Sequence, residues 1–126
     1  MPVTYHIDVA RRLIHTRCAG PVTLEEVLEH FAVLIQDPTC PDRLDVLLDL
    51  SEMTTVPQSD QLRDVTSTIA RIRARVQFGR CAIIAPQEAV FGMSRMFAVF
   101  AEEYFLATQV FRAVPDGALW LASPPA

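Results

Sequence analysis

Apolar and polar residues alternate along two stretches near the start of the chain, Thr4-Tyr5-His6-Ile7-Asp8 and Leu13-Ile14-His15-Thr16-Arg17-Cys18, joined by the short segment Val9-Ala10-Arg11-Arg12. A period of two places successive side chains on opposite faces of a strand, so the pair reads as an antiparallel hairpin. Setting Ile7 against Ile14 brings Val3 to Cys18 and Tyr5 to Thr16 on one inward face and leaves His6 opposite His15.

The period changes after Gly20-Pro21, which breaks the second strand. Thr23 and Glu26 have the spacing of a capping box, and the Glu26 carboxylate also suits the positive end of a helix. Leu24, Val27, Leu28, Phe31, Leu34 and Ile35 then recur at helical spacing until Asp37-Pro38, where proline forbids continuation. Leu44 to Leu50 is a nearly continuous apolar run, the pattern of a central strand covered on both faces. A loop from Ser51 to Gln58 leads to a second helix, beginning at Ser59 or Asp60, that aligns Leu62, Val65, Ile69, Ile72 and Val76; Arg71, Arg73 and Arg75 fall in its last turns and Gly79 is the expected terminator. Cys81 to Ala85 is a further core strand, ended by Pro86. Val90 to Phe105 is helical by length, Gln109 to Val114 is a last strand, and Pro115-Asp116 opens a short closing helix containing Leu119, Trp120 and Leu121.

After the hairpin, strands and helices alternate, which implies parallel strands with right-handed crossovers. The expected fold class is α/β: an N-terminal β-hairpin followed by a right-handed βα superhelix, with a mostly parallel sheet of about five strands and about four helices. The pattern shows neither an internal repeat nor a dividing linker, so residues 1–126 are expected to form one domain.

Composition narrows the chemistry. All 11 basic side chains are arginine, and the absence of lysine removes the P-loop lysine and Schiff-base catalysis. The 3 cysteines, Cys18, Cys40 and Cys81, lack metal or disulfide spacing; Cys18 and Cys81 sit in apolar strands, and Cys40, between Pro38 and Pro41, is the one expected to be exposed. A net charge of −4 argues against a nucleic-acid surface. Apolar runs too short to span a bilayer, and a start without a signal-peptide pattern, give the expectation of a cytoplasmic protein with no membrane insertion.

The order of elements, with Val46-Leu-Leu-Asp-Leu-Ser51 closing the middle strand, resembles the STAS domain of anti-sigma-factor antagonists, the SpoIIAA-like fold. Tyr5-His-Ile-Asp8, Arg11-Arg12, Gly20-Pro-Val-Thr23, Asp49-Leu50 and Phe91-Gly-Met-Ser-Arg-Met-Phe97 are similar to small stand-alone bacterial members of that group. The resemblance covers nearly the whole chain and implies a non-enzymatic protein-interaction or regulatory module. In the switch members, the second serine of an Asp-Ser-Ser-Gly-Leu motif accepts phosphate; the corresponding stretch here is Pro57-Gln58-Ser59-Asp60-Gln61, which makes Ser59 the phosphorylation candidate but lacks the glycine, the preceding aspartate and the neighbouring serine. A further resemblance, to lipid-carrying CRAL-TRIO (SEC14-like) domains, implies a small apolar ligand.

The residues themselves offer several candidates. Ser59 also suits an ordinary N-cap, the favoured reading. Asp49, Ser51, Glu52 and Glu88 belong near the carboxyl ends of neighbouring strands, where open α/β sheets bind ligands or partners, and the carboxylates there could serve acid/base work or a cation. Solvated loop charges are the favoured account, because no nucleophile has an adjacent base and no catalytic set is visible. His6, His15 and His30 lack the shared element a metal site needs, so no metal and no cofactor are expected. Phe91, Met93, Met96, Phe97, Phe100 and Tyr104, with Phe105, exceed one helix stripe. A homodimer interface is the first explanation of that surplus, and a ligand pocket is the second. An interaction module is therefore ranked above a carrier or sensor of a small apolar ligand, and an enzyme at the carboxyl edge of the sheet last.

Overall fold

The computed structural model describes residues 2–123. β1 (Val3–Asp8) and β2 (Leu13–Gly20) form the antiparallel hairpin, and the register is the one the alternation predicts: Val3 faces Cys18, Tyr5 faces Thr16, His6 faces His15 and Ile7 faces Ile14. Arg12 closes the turn in the left-handed region, at φ 51°. α1 (Leu24–Gln36) starts at the expected capping box: the Glu26 N–H donates to Thr23 Oγ1 at 3.3 Å, and the Thr23 N–H donates to Glu26 Oε1 at 2.9 Å. β3 (Arg43–Met53), α2 (Ser59–Arg71), β4 (Gln77–Ile84), α3 (Glu88–Phe100), β5 (Ala107–Phe111) and α4 (Val114–Ala122) complete the chain, with one 3-10 turn at Glu102–Tyr104.

The five strands lie in the order β1-β2-β3-β4-β5, antiparallel only in the hairpin. Crossovers of constant hand between successive neighbours place every crossover helix on the same face. Accordingly α1, α2 and α3 cover one side, where Ile14, Cys18, Val46, Leu50, Cys81 and Ile83 are buried. Leu13, Leu47, Ala82 and Ile84 point the other way and pack against α4 with Leu121. This two-sided burial explains the continuous apolar run of β3.

α4 sits close on its face. A Cβ at Gly117 would stand 2.6 Å from Ile84 Cδ1, so glycine permits the approach. The Arg80 guanidinium donates to three carbonyls at the helix C-terminus, those of Trp120 (2.9 Å), Leu121 (2.7 Å) and Ser123 (2.9 Å), of which Trp120 O also accepts the Ser123 N–H at 3.3 Å.

Several boundaries differ from the sequence expectation. α2 ends at Arg71, not at Gly79, because the chain is already extended by Gln77, whose N–H donates to Asp42 O at 2.8 Å and opens the ladder with β3. Gly79 lies inside β4, where a Cβ would run into the Asp45 carboxylate; that carboxylate accepts the Arg80 N–H at 2.8 Å across a register shift in β3. α3 ends at Phe100, which frees Phe105 to stack on Phe78 at 5.5 Å and meet Phe97 edge-on at 6.4 Å. β5 spans Ala107–Phe111, so Val114 opens α4 instead of closing the strand. Cys40 is buried, not exposed: the Arg75 guanidinium reaches across to donate to the Cys40 carbonyl at 2.8 Å and holds the Pro-rich turn against the core.

Candidate functional site

At the carboxyl edge of the sheet the candidate groups among the described residues each meet a local partner. Asp49 Oδ1 accepts the Ser51 N–H at 3.0 Å and the Ser51 hydroxyl at 2.6 Å. Glu52 pairs with Arg17, and Glu88, largely exposed, pairs with Arg112 at 2.7 Å. Each of these groups is thus engaged by a local partner. Among the described residues no cluster of three His, Cys, Asp or Glu side chains is placed to hold a metal ion.

Ser59 is the exposed first residue of α2, and the cap is Gln58, whose N–H donates to Gln61 Oε1 at 2.9 Å. The N-cap reading of Ser59 is therefore corrected by one residue: the chain is extended at Gln58 and helical from Ser59. His6 and His15 are an exposed pair with ring centroids 6.5 Å apart. None of the cysteines is poised as a thiolate. Burial pushes Cys81 up to about 12; burial, with the Asp49 charge adding to it, takes Cys18 to about 11; and burial also raises Cys40.

The Phe/Met-rich segment resolves differently from its sequence expectation. Met93 and Phe97 are buried against the sheet, while Met96 stays 44% exposed. Phe91, Phe100 and Tyr104 are only partly buried, but each ring carries an arginine over its face: Arg112 at 4.0 Å from Phe91, Arg63 at 4.6 Å from Phe100 and Arg73 at 5.2 Å from Tyr104. Guanidinium groups over ring faces are held by the ring quadrupole while their edges remain hydrated. Part of the surplus ring surface is thereby covered within one chain. The arginines around the end of α2 take part in this inward work: Arg73 covers Tyr104, and Arg75 donates to the Asp37 and Cys40 carbonyls.

Beneath α3 the packing is incomplete. A cavity of about 140 Å³ lies between the sheet and helices α1, α2 and α3. The strands contribute Ile14, Thr16, Val46, Leu48, Cys81 and Ile83; the helices contribute Val27, His30, Phe31, Leu62, Ile69, Met93, Ser94 and Phe97; Phe105 and the loop residue Pro57 also line it. None of the lining residues is an acid or an arginine. His30 is held neutral, its imidazole pushed down to about 4 by burial. Ser94 is 1% exposed, and its hydroxyl, shut away from water, has no hydrogen-bond partner.

Of the residues proposed from sequence for a dimer contact or pocket, Met93 and Phe97 line this cavity, whereas Phe91, Met96, Phe100 and Tyr104 do not. Ser94, Thr16 and His30 were not among the residues proposed for a pocket, although Thr16 was placed on the inward face of the hairpin and His30 was weighed as a metal ligand. A signal for Ser94 is present in the spacing, since Val90, Ser94, Phe97 and Ala101 follow one another along the stripe of α3 that is buried. A serine at that position has no solvent-facing role.

No protein-family model matches the sequence, and no curated protein matches it. Among solved structures, an uncharacterised protein of the DUF3478 family with a SpoIIAA-like fold, from Shewanella loihica PV-4, aligns with a TM-score of 0.65 over 95% of this chain and 92% of that one, at 16% sequence identity. The chain has a SpoIIAA-like fold. At that identity the likeness reports architecture alone, and a SpoIIAA-like scaffold can carry unrelated functions. No helix among the described residues is long and apolar enough to cross a membrane.

Proposed function

We propose that this SpoIIAA-like chain is a non-enzymatic binding module that holds a small apolar molecule between its sheet and its helices. The observation that carries the reading is the cavity of about 140 Å³ with its apolar lining. Protein interiors pack as densely as organic crystals, and voids larger than a water molecule are few. An apolar cavity of ~150 Å³ stays dry and takes up benzene, so the occupant is sized as a single ring or a short chain, not as a two-tailed lipid. The loop of residues 54–58, which supplies Pro57 to the cavity wall, is held by only a few bonds, among them Thr55 Oγ1 donating to Val22 O at 2.9 Å.

The test is thermal denaturation of the full chain with added toluene, alongside a mass spectrum recorded under native conditions. Saturation at about a hundred times Kd raises stability by ~2.7 kcal/mol. A filling substitution, Cys81→Leu, is expected to raise the melting temperature without toluene and to abolish the toluene shift. No shift in the parent protein would remove the reading.

A second reading, a STAS-like interaction module that forms a homodimer, is favoured by exposed Met96, Val99 and Leu106, the last two 68% and 72% exposed. Light scattering separates the readings: a dimer that Val99→Glu dissociates supports the second, and a monomer that still takes up toluene supports the first alone.

A further inference from the structure

The cavity's few polar features discriminate among small molecules. We propose that it selects an uncharged molecule bearing one hydroxyl or carbonyl group, and that Ser94 is the residue that recognises that group. The inference rests on the binding-module reading and goes further, naming the ligand's chemical class and the side chain that reads it.

Charge is excluded by the lining. A carboxylate, phosphate or ammonium taken into this space would lose its water and meet no acid or arginine among the residues around it. The ionisable groups on the wall are uncharged at neutral pH: burial holds His30 neutral down to about 4, and the Cys18 and Cys81 thiols are pushed up to about 11 and about 12.

A hydrogen-bonding group is asked for by Ser94. Serine in the middle of a helix ordinarily turns its hydroxyl back to the carbonyl four residues earlier or out to water. Ser94 does neither: it lies on the buried stripe of α3, it lines the cavity, and its hydroxyl is without a partner. Alanine would favour the helix more and leave no polar atom to satisfy, so packing alone gives no reason for the hydroxyl. Among the described residues Thr108 is the other buried hydroxyl without a partner, but Thr108 does not line the cavity, whereas Ser94 does. Because a hydroxyl both donates and accepts, a ligand hydroxyl or carbonyl meets it equally well.

The experiment titrates the full chain and its Ser94→Ala and Ser94→Cys variants at pH 7 by calorimetry with four probes: toluene and phenol, matched in size, and acetophenone and benzoate, likewise matched. In the parent chain, toluene, phenol and acetophenone are expected to bind, and benzoate at least about a hundredfold more weakly than acetophenone. Both variants are expected to weaken phenol about fivefold to tenfold relative to toluene, the loss of one hydrogen bond. Toluene binding in the variants reports that they are folded and that the cavity persists. Phenol affinity that keeps its ratio to toluene in both variants overturns the role of Ser94 while leaving the binding module intact. Benzoate binding as tightly as acetophenone overturns the preference for an uncharged ligand. Failure of toluene, phenol and acetophenone alike to bind the parent overturns the binding-module reading itself.

Discussion

Replacing Ser94 by alanine in the ligand-free protein gives a prediction whose sign is diagnostic. A buried serine that makes a hydrogen bond usually loses stability when truncated, by about 1 kcal/mol. Ser94 is 1% exposed and its hydroxyl has no partner, so truncation removes a desolvated polar group and strands nothing. The relief is about 1–3 kcal/mol, to which the better helix propensity of alanine adds up to ~0.5 kcal/mol. Against this stands the slight enlargement of a cavity that already measures about 140 Å³, a cost of a few tenths of a kcal/mol at ~24 cal/mol per Å³. The net expectation is a gain of about 1–2 kcal/mol, which for a domain of this length raises the melting temperature by ~4–8 °C. Urea denaturation of ligand-free protein checks it, with the midpoint moving up at constant slope. A loss of 1 kcal/mol or more would show that the hydroxyl has a native partner and would refute the reasoning.

His30 supplies a pH dependence. Its pKa falls from 6.5 in the unfolded chain to about 4 in the folded one, so between these values the unfolded state binds more protons and stability rises with pH; on the order of 3 kcal/mol is lost as pH falls through the window. Denaturation series at pH 7, 6 and 5 should show this slope in the parent chain and a shallower one in His30→Leu. Gly79→Ala should destabilise by about 1–3 kcal/mol through overlap with the Asp45 carboxylate, and a double-mutant cycle with Asp45→Ala should recover part of the loss. Arg80→Ala removes the guanidinium from the carbonyls of Trp120, Leu121 and Ser123, of which Trp120 O keeps the Ser123 N–H; a loss of about 2 kcal/mol and a red-shifted emission from Trp120, the single tryptophan, are expected.

How far the structure was legible depended on the range of the cause. The hairpin register could be read because a slip of one residue would turn Ile14, Thr16 and Cys18 out of the core, and the start of α1 could be read because Thr23 and Glu26 act on each other locally. Gly79 was misread because a glycine after a helix pattern looks the same whether it ends the helix or admits a neighbouring side chain, and that neighbour, Asp45, is remote in sequence. Cys40 was misread for the same reason, its turn being held by Arg75. The aromatic surplus of α3 was visible, but its covers, Arg63, Arg73 and Arg112, come from other parts of the chain, and no periodicity announces a guanidinium over a ring. The cavity was least accessible of all, since a void is a mismatch of side-chain volumes across several elements. Its one polar mark, a serine on the buried stripe of α3, was nonetheless present in the spacing.

Two costs that need not coincide meet in the layer beneath α3. An unfilled volume and an unpaired buried hydroxyl each lower stability, and either alone has a mundane origin: loose packing leaves small voids, and Thr108 shows that an orphan hydroxyl can lie elsewhere in this fold. At Ser94 the orphan group belongs to a residue that lines the void, and under the proposal one bound molecule relieves both. Loose packing makes a different forecast from a ligand site. Under loose packing, Ser94→Ala stabilises the protein and leaves the ratio of phenol to toluene affinity unchanged; under a ligand site, the same substitution stabilises the empty protein and weakens phenol relative to toluene. Stability and that ratio measured on the same variant therefore decide between them, because an accidental void also takes up small rings and loses them when filled.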